Sequence, residues 1–364
     1  MEFLPRSLGT RPRLACEVRA EGVVAARAED ASAVLSAVSR VPLADGVSNE
    51  GMSVAARGTI VAAVRKALEA VSQRTREVTL VVPDAAVRVL LLDFDELPAK
   101  AAEALPVVRF RLKKLLPFDA DDAAVSYQVM ATSRAGVQVL AVAMPREVLA
   151  DYESVVREAG FEPGAVLPST LAALAGLGET DRPVLVVNAG REGVTTAIVK
   201  DGVLLLHRTV DLGAGPSEVR SSTSSEGSAQ KKPAETSISA IAARMAAVGS
   251  GPADRQAPAS EPEAVAESSV AAPANEVAHA VSVAAAYFED TLQTVPAVVL
   301  AAGTLGASAL IGVLDAESAG MGIRPVAVQE IVDRQMLGDG ATSAGSPAGI
   351  PLGWLAGVRG ALAN

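Results

Sequence analysis

With 364 residues, 50% of them hydrophobic, and a mean hydropathy of +0.32, the chain can bury more than one sizeable core. A formal charge of −10 and an aromatic content of 3% exclude a general nucleic-acid binder, which needs excess Lys and Arg against phosphate and rings for base stacking. The single cysteine, Cys16, excludes a disulfide framework and a thiolate metal site, while His207 and His279 stand far apart and read as a strand and a helix-face residue.

From Leu14 to Val41, short apolar runs break at Glu21-Gly22 and at Glu29-Asp30, which predicts two or three strands joined by tight turns. Over 53–74, Ile60, Val61, Val64, Leu68 and Val71 recur at three- and four-residue steps, the period of a helix. Val78–Val82 is a β-branched run of the kind buried on both faces of a sheet. A smaller α+β unit is expected next. It comprises a strand over Val87–Phe94, a helix over Pro98–Leu116 bent at Pro106, alternating strands Val125–Met130 and Val137–Met144, and a helix over Pro145–Ala159. A meander of three strands follows, Val184–Val187, Val194–Val199 and Val203–Val210, with turn signals at Ala189-Gly190 and Asp201-Gly202.

Between 215 and 275 the composition turns to Ser, Ala, Pro, Glu and Gly, which predicts a disordered insert with a transient helix over Ile238–Ala247. A helix over Glu276–Gln293 resumes the fold. Thr291–Leu314 carries no charge and is long enough to span a bilayer. Pro296, Gly303, Gly306 and Gly312 instead divide it into a strand (Ala297–Ala302), a glycine turn and a helix. A last helix is expected over Pro351–Leu362, packed through Trp354. The N-terminus has no charged-then-apolar leader, which predicts a cytoplasmic protein. The expected division is a first lobe over 1–83 that returns over 162–182, an α+β unit over 84–161, and a second lobe over 183–214 and 276–364.

No Walker phosphate loop, dinucleotide fingerprint, nucleophile elbow or H-E-x-x-H pattern occurs in the sequence. The candidate ligand-facing segments are strand turns whose backbone N–H groups can meet phosphate: Glu17–Gly22, Asn188–Thr196 and Ala301–Gly306. The basic run Arg109, Arg111, Lys113 and Lys114 reads either as a solvated helix face or as a surface for an anionic membrane or acidic partner.

The order of these elements is the plan of actin-like ATPases: α/β, two-lobed, with a small inserted α+β subdomain. Within that superfamily the chain resembles the type IV pilus assembly protein PilM family, relatives of the division protein FtsA. The resemblance rests on Arg111–Phe118 with its Pro-Phe end, the acidic turn Asp119, Asp121 and Asp122, Ser126–Val129, Ala141–Glu147, Glu158–Phe161 and the meander from Asn188 to Gly213. It implies ATP with Mg between the lobes at Glu17, Gly22, Asn188, Gly190, Thr195, Thr196, Gly303 and Thr304. It also implies a partner, the N-terminal tail of a PilN-like membrane protein in the inner-membrane pilus assembly complex. That tail would lie in a groove between the first lobe and the α+β unit, with the protein cytoplasmic and peripheral at the inner membrane. Glu17, Arg19, Ala20 and Glu21 stand where the family carries Asp, Gly and small hydroxyl residues. Asn188 stands in place of an Asp, and Ala302 and Thr304 in place of glycines. These departures predict weak or absent nucleotide binding and hydrolysis, with no catalytic residue or protein metal ligand. The alternatives are a sugar or acetate kinase of the same superfamily and a component of a type II secretion platform.

Overall fold

The computed structural model describes residues 12–30, 32–44, 54–134, 136–177, 182–212, 263–294, 296, 298–321, 327–338 and 350–363. Three sheets organise them, all within the compact unit formed by Met1–Gly213 and Ala271–Asn364. In the first sheet, β1 (Leu14–Arg19), β2 (Gly22–Ala28) and β3 (Leu35–Pro42) form an antiparallel meander. β4 (Glu77–Val82) then pairs parallel with β1, and β8 (Glu162–Pro168) pairs parallel with β4. The strand order is β3-β2-β1-β4-β8. The second sheet repeats this plan. It places β9 (Val184–Ala189), β10 (Gly193–Lys200), β11 (Val203–Asp211), β12 (Val298–Ala302) and β13 (Ala327–Glu330) in the order β11-β10-β9-β12-β13. The senses match as well: β9 is antiparallel to β10 and parallel to β12.

Alternation along β1 decides what each face of the first sheet meets. Leu14, Cys16 and Val18 point to one face, packed by α1 (Val54–Glu69) through Ile60, Val64 and Leu68 and by α3 (Arg146–Glu158) through Tyr152, Val155 and Val156. Ala15 points to the opposite face, where α4 (Ser169–Ala175) and α7 (Ala356–Leu362) lie between the two sheets. That shared core joins Val24 and Ala26 of β2, Val186 of β9, Ala197 of β10, Leu171 and Leu174 of α4, and Trp354 and Val358 near the chain's end. Burying each Leu, Val or Trp side chain contributes about 1.5–3 kcal/mol. The two helices cross at van der Waals contact because Gly360 has no side chain; a Cβ there would overlap the Ala172 carbonyl oxygen. α5 (Glu263–Leu292) and α6 (Gly306–Met321) cover the far face of the second sheet through Val277, Val281, Phe288 and Leu310.

The inserted unit is a sheet of β5 (Arg88–Phe94), β7 (Gly136–Pro145) and β6 (Ala123–Ser133), all antiparallel in the order β5-β7-β6. α2 (Ala101–Leu112) closes its core with Val108 and Leu112 against Val139 and Ala141.

Several expected bounds differ from the observed ones. α1 ends at Glu69, five residues short of Arg74, and α2 begins at Ala101 and includes Pro106. β8 was not expected, because Pro163-Gly164 reads as a chain break. As an edge strand it tolerates prolines, since one of its sides has no ladder to donate to. β13 is four residues long and leaves too short a pattern to read. α5 begins at Glu263, inside the segment assigned to the insert. The remainder of the insert, including the Ile238–Ala247 helix, lies outside the described residues. The final helix is divided into a 3₁₀ turn, Leu352–Leu355, and α7. Among the described residues no helix is long and apolar enough to cross a membrane, and Thr291–Leu314 is spread over α5, β12 and α6.

Candidate functional site

The duplicated sheets bring two strand turns to one cleft, Arg19–Gly22 after β1 and Ala189–Gly193 after β9, and a third, Ala302–Gly306 after β12, joins them through the Thr304–Glu21 bond. Two more segments enter it from the carboxyl ends of parallel strands, where ligand crevices of α/β sheets form. Asp84 follows β4, and Ser169 and Thr170 follow β8 at the start of α4.

Charged and amide side chains fill this cleft. The Arg19 guanidinium donates from Nε to Glu17 Oε1 at 2.7 Å, and from Nη2 to Ser169 Oγ at 2.5 Å and Asn188 Oδ1 at 2.8 Å. Ser169 Oγ in turn donates to Glu17 Oε1 at 2.6 Å. The Asn188 amide donates to Ser169 Oγ at 3.0 Å, to Thr170 Oγ1 at 2.9 Å and to Asp84 Oδ2 at 3.3 Å. Asp84 also accepts from the Thr170 hydroxyl at 2.5 Å and from its backbone N–H at 3.1 Å. A second tie lies beside the first: Glu21 Oε1 accepts from the Arg191 N–H and from the Thr304 hydroxyl, both at 2.5 Å. Arg19 and Glu21 of the first lobe therefore both bond to the second.

Glu17 is fully buried and the Arg19 side chain is 11% exposed, a placement that water-deprived charges tolerate only when paired. Burial works against the charge on Arg19, but Glu17, Glu21 and Asp84 outweigh it and hold its pKa above the ordinary value. Burial likewise opposes ionisation of Glu21. The Thr304 hydroxyl, the Arg191 N–H and the Arg19 charge prevail and hold its carboxyl below the usual range.

Of the residues expected at the site, Asn188, Gly190 and Thr195 line the cleft, and Thr304 reaches it through Glu21. Glu17 lies beneath, as the acceptor for Arg19 and Ser169. Gly303, at φ 85°, packs against the end of β9, where a Cβ would lie 2.5 Å from Asn188 Oδ1. Thr195 bonds Thr209 Oγ1 at 3.0 Å, and strand alternation turns the buried Thr196 to the other face of β10. Gly22 serves the hairpin instead: its φ of 150° brings it against β3, where a Cβ would meet the Val41 carbonyl oxygen at 2.5 Å. Asp84, Ser169 and Thr170 were missed, and Arg191 lay within the Asn188–Thr196 segment without being singled out. The available signal was a polar group straight after an apolar strand, Val82-Pro83-Asp84 and Leu167-Pro168-Ser169-Thr170. His207 lies on β11 and His279 on the exposed side of α5; burial holds the His207 imidazole below its usual pKa.

The volume left in the cleft is about 40 Å³, room for a few waters, whereas sites for larger organic ligands run to roughly 300–1,000 Å³. In this arrangement the residues do not fit a magnesium nucleotide. Asn188 supplies an amide that already has partners, and Arg19 fills the space between the turns.

A larger groove, about 240 Å³, lies between the first sheet and the inserted unit. Its walls are Val82 and Val166 of the first sheet, Val125 of β6, Val142 and Met144 of β7, and Leu149 of α3, with Ser126 and Glu153 as polar groups. β6 and β8, which both reach this groove, are edge strands that pair on one side only among the described residues.

Two five-stranded sheets of the same order and sense, packed about a pair of central helices and opening on a shared cleft, define the actin-like ATPase fold. Among solved structures, the chain is similar to one in the PilM–PilN type IV pilus biogenesis complex. The two are 19% identical with a TM-score of 0.64, and the match covers 96% of this chain and 98% of that one. It also matches a Bacteroides thetaiotaomicron protein with an actin-like ATPase fold and unknown function, at 8% identity, a TM-score of 0.41 and 87% and 90% coverage. The ethanolamine utilization protein EutJ from Carboxydothermus hydrogenoformans matches at 13% identity, a TM-score of 0.43 and 96% and 89% coverage. No protein-family model and no curated protein matches the chain.

Proposed function

We infer that this chain is a PilM-like component of type IV pilus assembly, working in the cytoplasm at the inner membrane. Its task is to hold the N-terminal tail of a PilN-like membrane protein in the groove between the first sheet and the inserted unit. The observation that carries this reading is the groove itself. It is apolar along Val82, Val125, Val142 and Val166, and bordered by the edge strands β6 and β8. Such a channel can pair with an extended peptide along its main chain and seat alternate side chains in pockets. The full-length likeness to a chain of a PilM–PilN complex supports the same partner. The nucleotide cleft is an internal fastening in this reading: Arg19 and Glu21 join the lobes, and tail binding proceeds without ATP.

Titrating the full chain with a synthetic N-terminal peptide of a PilN-like protein tests this directly. Binding in the micromolar range, roughly −8 kcal/mol, is expected for a short tail that must order on the protein. Ser126→Arg, which places a charged side chain in the groove from an exposed backbone position, is expected to abolish it. Adding Mg-ATP is expected to change neither affinity nor melting temperature. Full-strength binding by Ser126→Arg overturns the groove assignment.

A further inference from the structure

We propose that the outer face of α2 is a contact surface for an anionic lipid bilayer. The basic run there divides once its side chains are placed. Arg109 turns inward, its guanidinium bonded to the carbonyl oxygens of Ala120 and Ala123. Lys113 is paired with Asp121 at 2.6 Å. Arg111 and Lys114 are exposed and have no acidic partner among the described residues.

These two cations sit among exposed apolar groups. The helix buries Ala104, Val108 and Leu112, and the chain continues its winding through Leu116, whose N–H bonds the Leu112 carbonyl at 3.0 Å. Val107, Phe110, Arg111 and Lys114 stand at i, i+3, i+4 and i+7, on the helix flank beside that stripe. Phe110 is 68% exposed and Leu115, in the next turn, 50%; with Val107 they are three of the seven exposed large hydrophobics among the described residues. Apolar exposure is thus gathered beside the unpaired cations.

Shape and charge select the occupant. Phe110 and Leu115 are exposed side chains, so a protein partner would have to supply a pocket for them, whereas a lipid interface receives them as they are. Phe and Leu enter the headgroup boundary while Arg and Lys keep their charges among the phosphates. Of the acidic groups near the face, Glu103 pairs with Lys100 at 3.3 Å, Asp121 with Lys113, and Asp119 accepts the Asp121 N–H at 2.9 Å. The chain's net charge of −10 repels an anionic membrane elsewhere, so the contact is oriented as well as weak. This goes beyond the tail-binding reading and does not depend on it.

Flotation of the full chain with vesicles, in the absence of any partner, decides the matter. The protein is expected to float with phosphatidylcholine vesicles containing phosphatidylglycerol, not with phosphatidylcholine alone, and to be released by salt. Arg111→Glu and Lys114→Glu are each expected to weaken vesicle binding by about fivefold or more. Phe110→Ser should weaken it roughly tenfold through lost apolar burial. All three positions are exposed, so circular dichroism and binding of the tail peptide should stay unchanged. Failure of the unmodified chain to float with the anionic vesicles, or equal flotation by the variants, overturns the proposal. Loss of a partner protein by these variants with no change in flotation assigns the face to that protein instead.

Discussion

Arg19 is the side chain on which the cleft turns, since it bonds Glu17, Ser169 and Asn188 at once. Removing one member of a buried ion pair leaves the other charge without compensation, at a cost of about 3–5 kcal/mol. Arg19→Met is expected to lower the unfolding free energy by that amount in urea titrations. Adding Glu17→Gln should restore part of the loss, because the stranded carboxylate is then neutral. Glu21 gives a pH signature. Its carboxyl is held below the usual value on folding, so its stabilisation is complete above the unfolded value of about 4.3 and is lost as pH falls through the lower folded value. The stability gap between the unmodified chain and Glu21→Gln should therefore be constant near neutral pH and close below about pH 4. Melting temperatures across that range check the sign. At this scale the sequence was only partly legible. Glu17, Arg19, Asn188 and Gly303 could be singled out by their places in turns, but their mutual bonds could not. Arg19 and Asn188 are 169 positions apart, and no local pattern encodes such a contact.

Elements were legible where burial imposed a period. The meander strands, α1, α3 and the β5–β7 unit all carry one-sided or continuous apolar patterns. β8 was hidden by Pro163 and Gly164, and α4 by its shortness, although its residues Thr170 to Leu174 are all buried. The same central position makes the α4–α7 crossing brittle. Gly360→Ala pushes a methyl into the Ala172 carbonyl, and the helices cannot part without opening the core between the sheets. Its expected effect is a loss of at least 3 kcal/mol, at the high end for overpacking, read as a lowered urea midpoint. Gly312→Ala, at an α6 position where a Cβ meets nothing within 4 Å, should be neutral or gain about 0.5–1 kcal/mol.

For the molecule as a whole, the repeated sheet order explains why a cleft forms between the two sheets whatever side chains its turns carry. Three turns converge there because of topology, independent of whether they carry Asp and Gly or Glu, Arg and Asn. If the fastening is what excludes nucleotide, Arg19→Gly with Asn188→Asp should gain measurable Mg-ATP binding by calorimetry where the unmodified chain shows none. Binding of equal strength by both proteins would mean that neither residue governs access.

The order in which the chain is synthesised gives the central helix pair a further consequence. α4 lies midway along the sequence, and α7, which covers it, comes after every other element described. While a chain is still being made, Leu171 and Leu174 are present but Trp354, Val358 and Leu362 are not, so an apolar surface between the two sheets stays bare until α7 is made. Contacts of such long sequence separation close slowly and leave nascent chains open to aggregation. This protein is therefore expected to depend on holding chaperones during translation, and a version stopped before residue 351 should be released as a dye-binding, aggregation-prone species with its outer helices already formed.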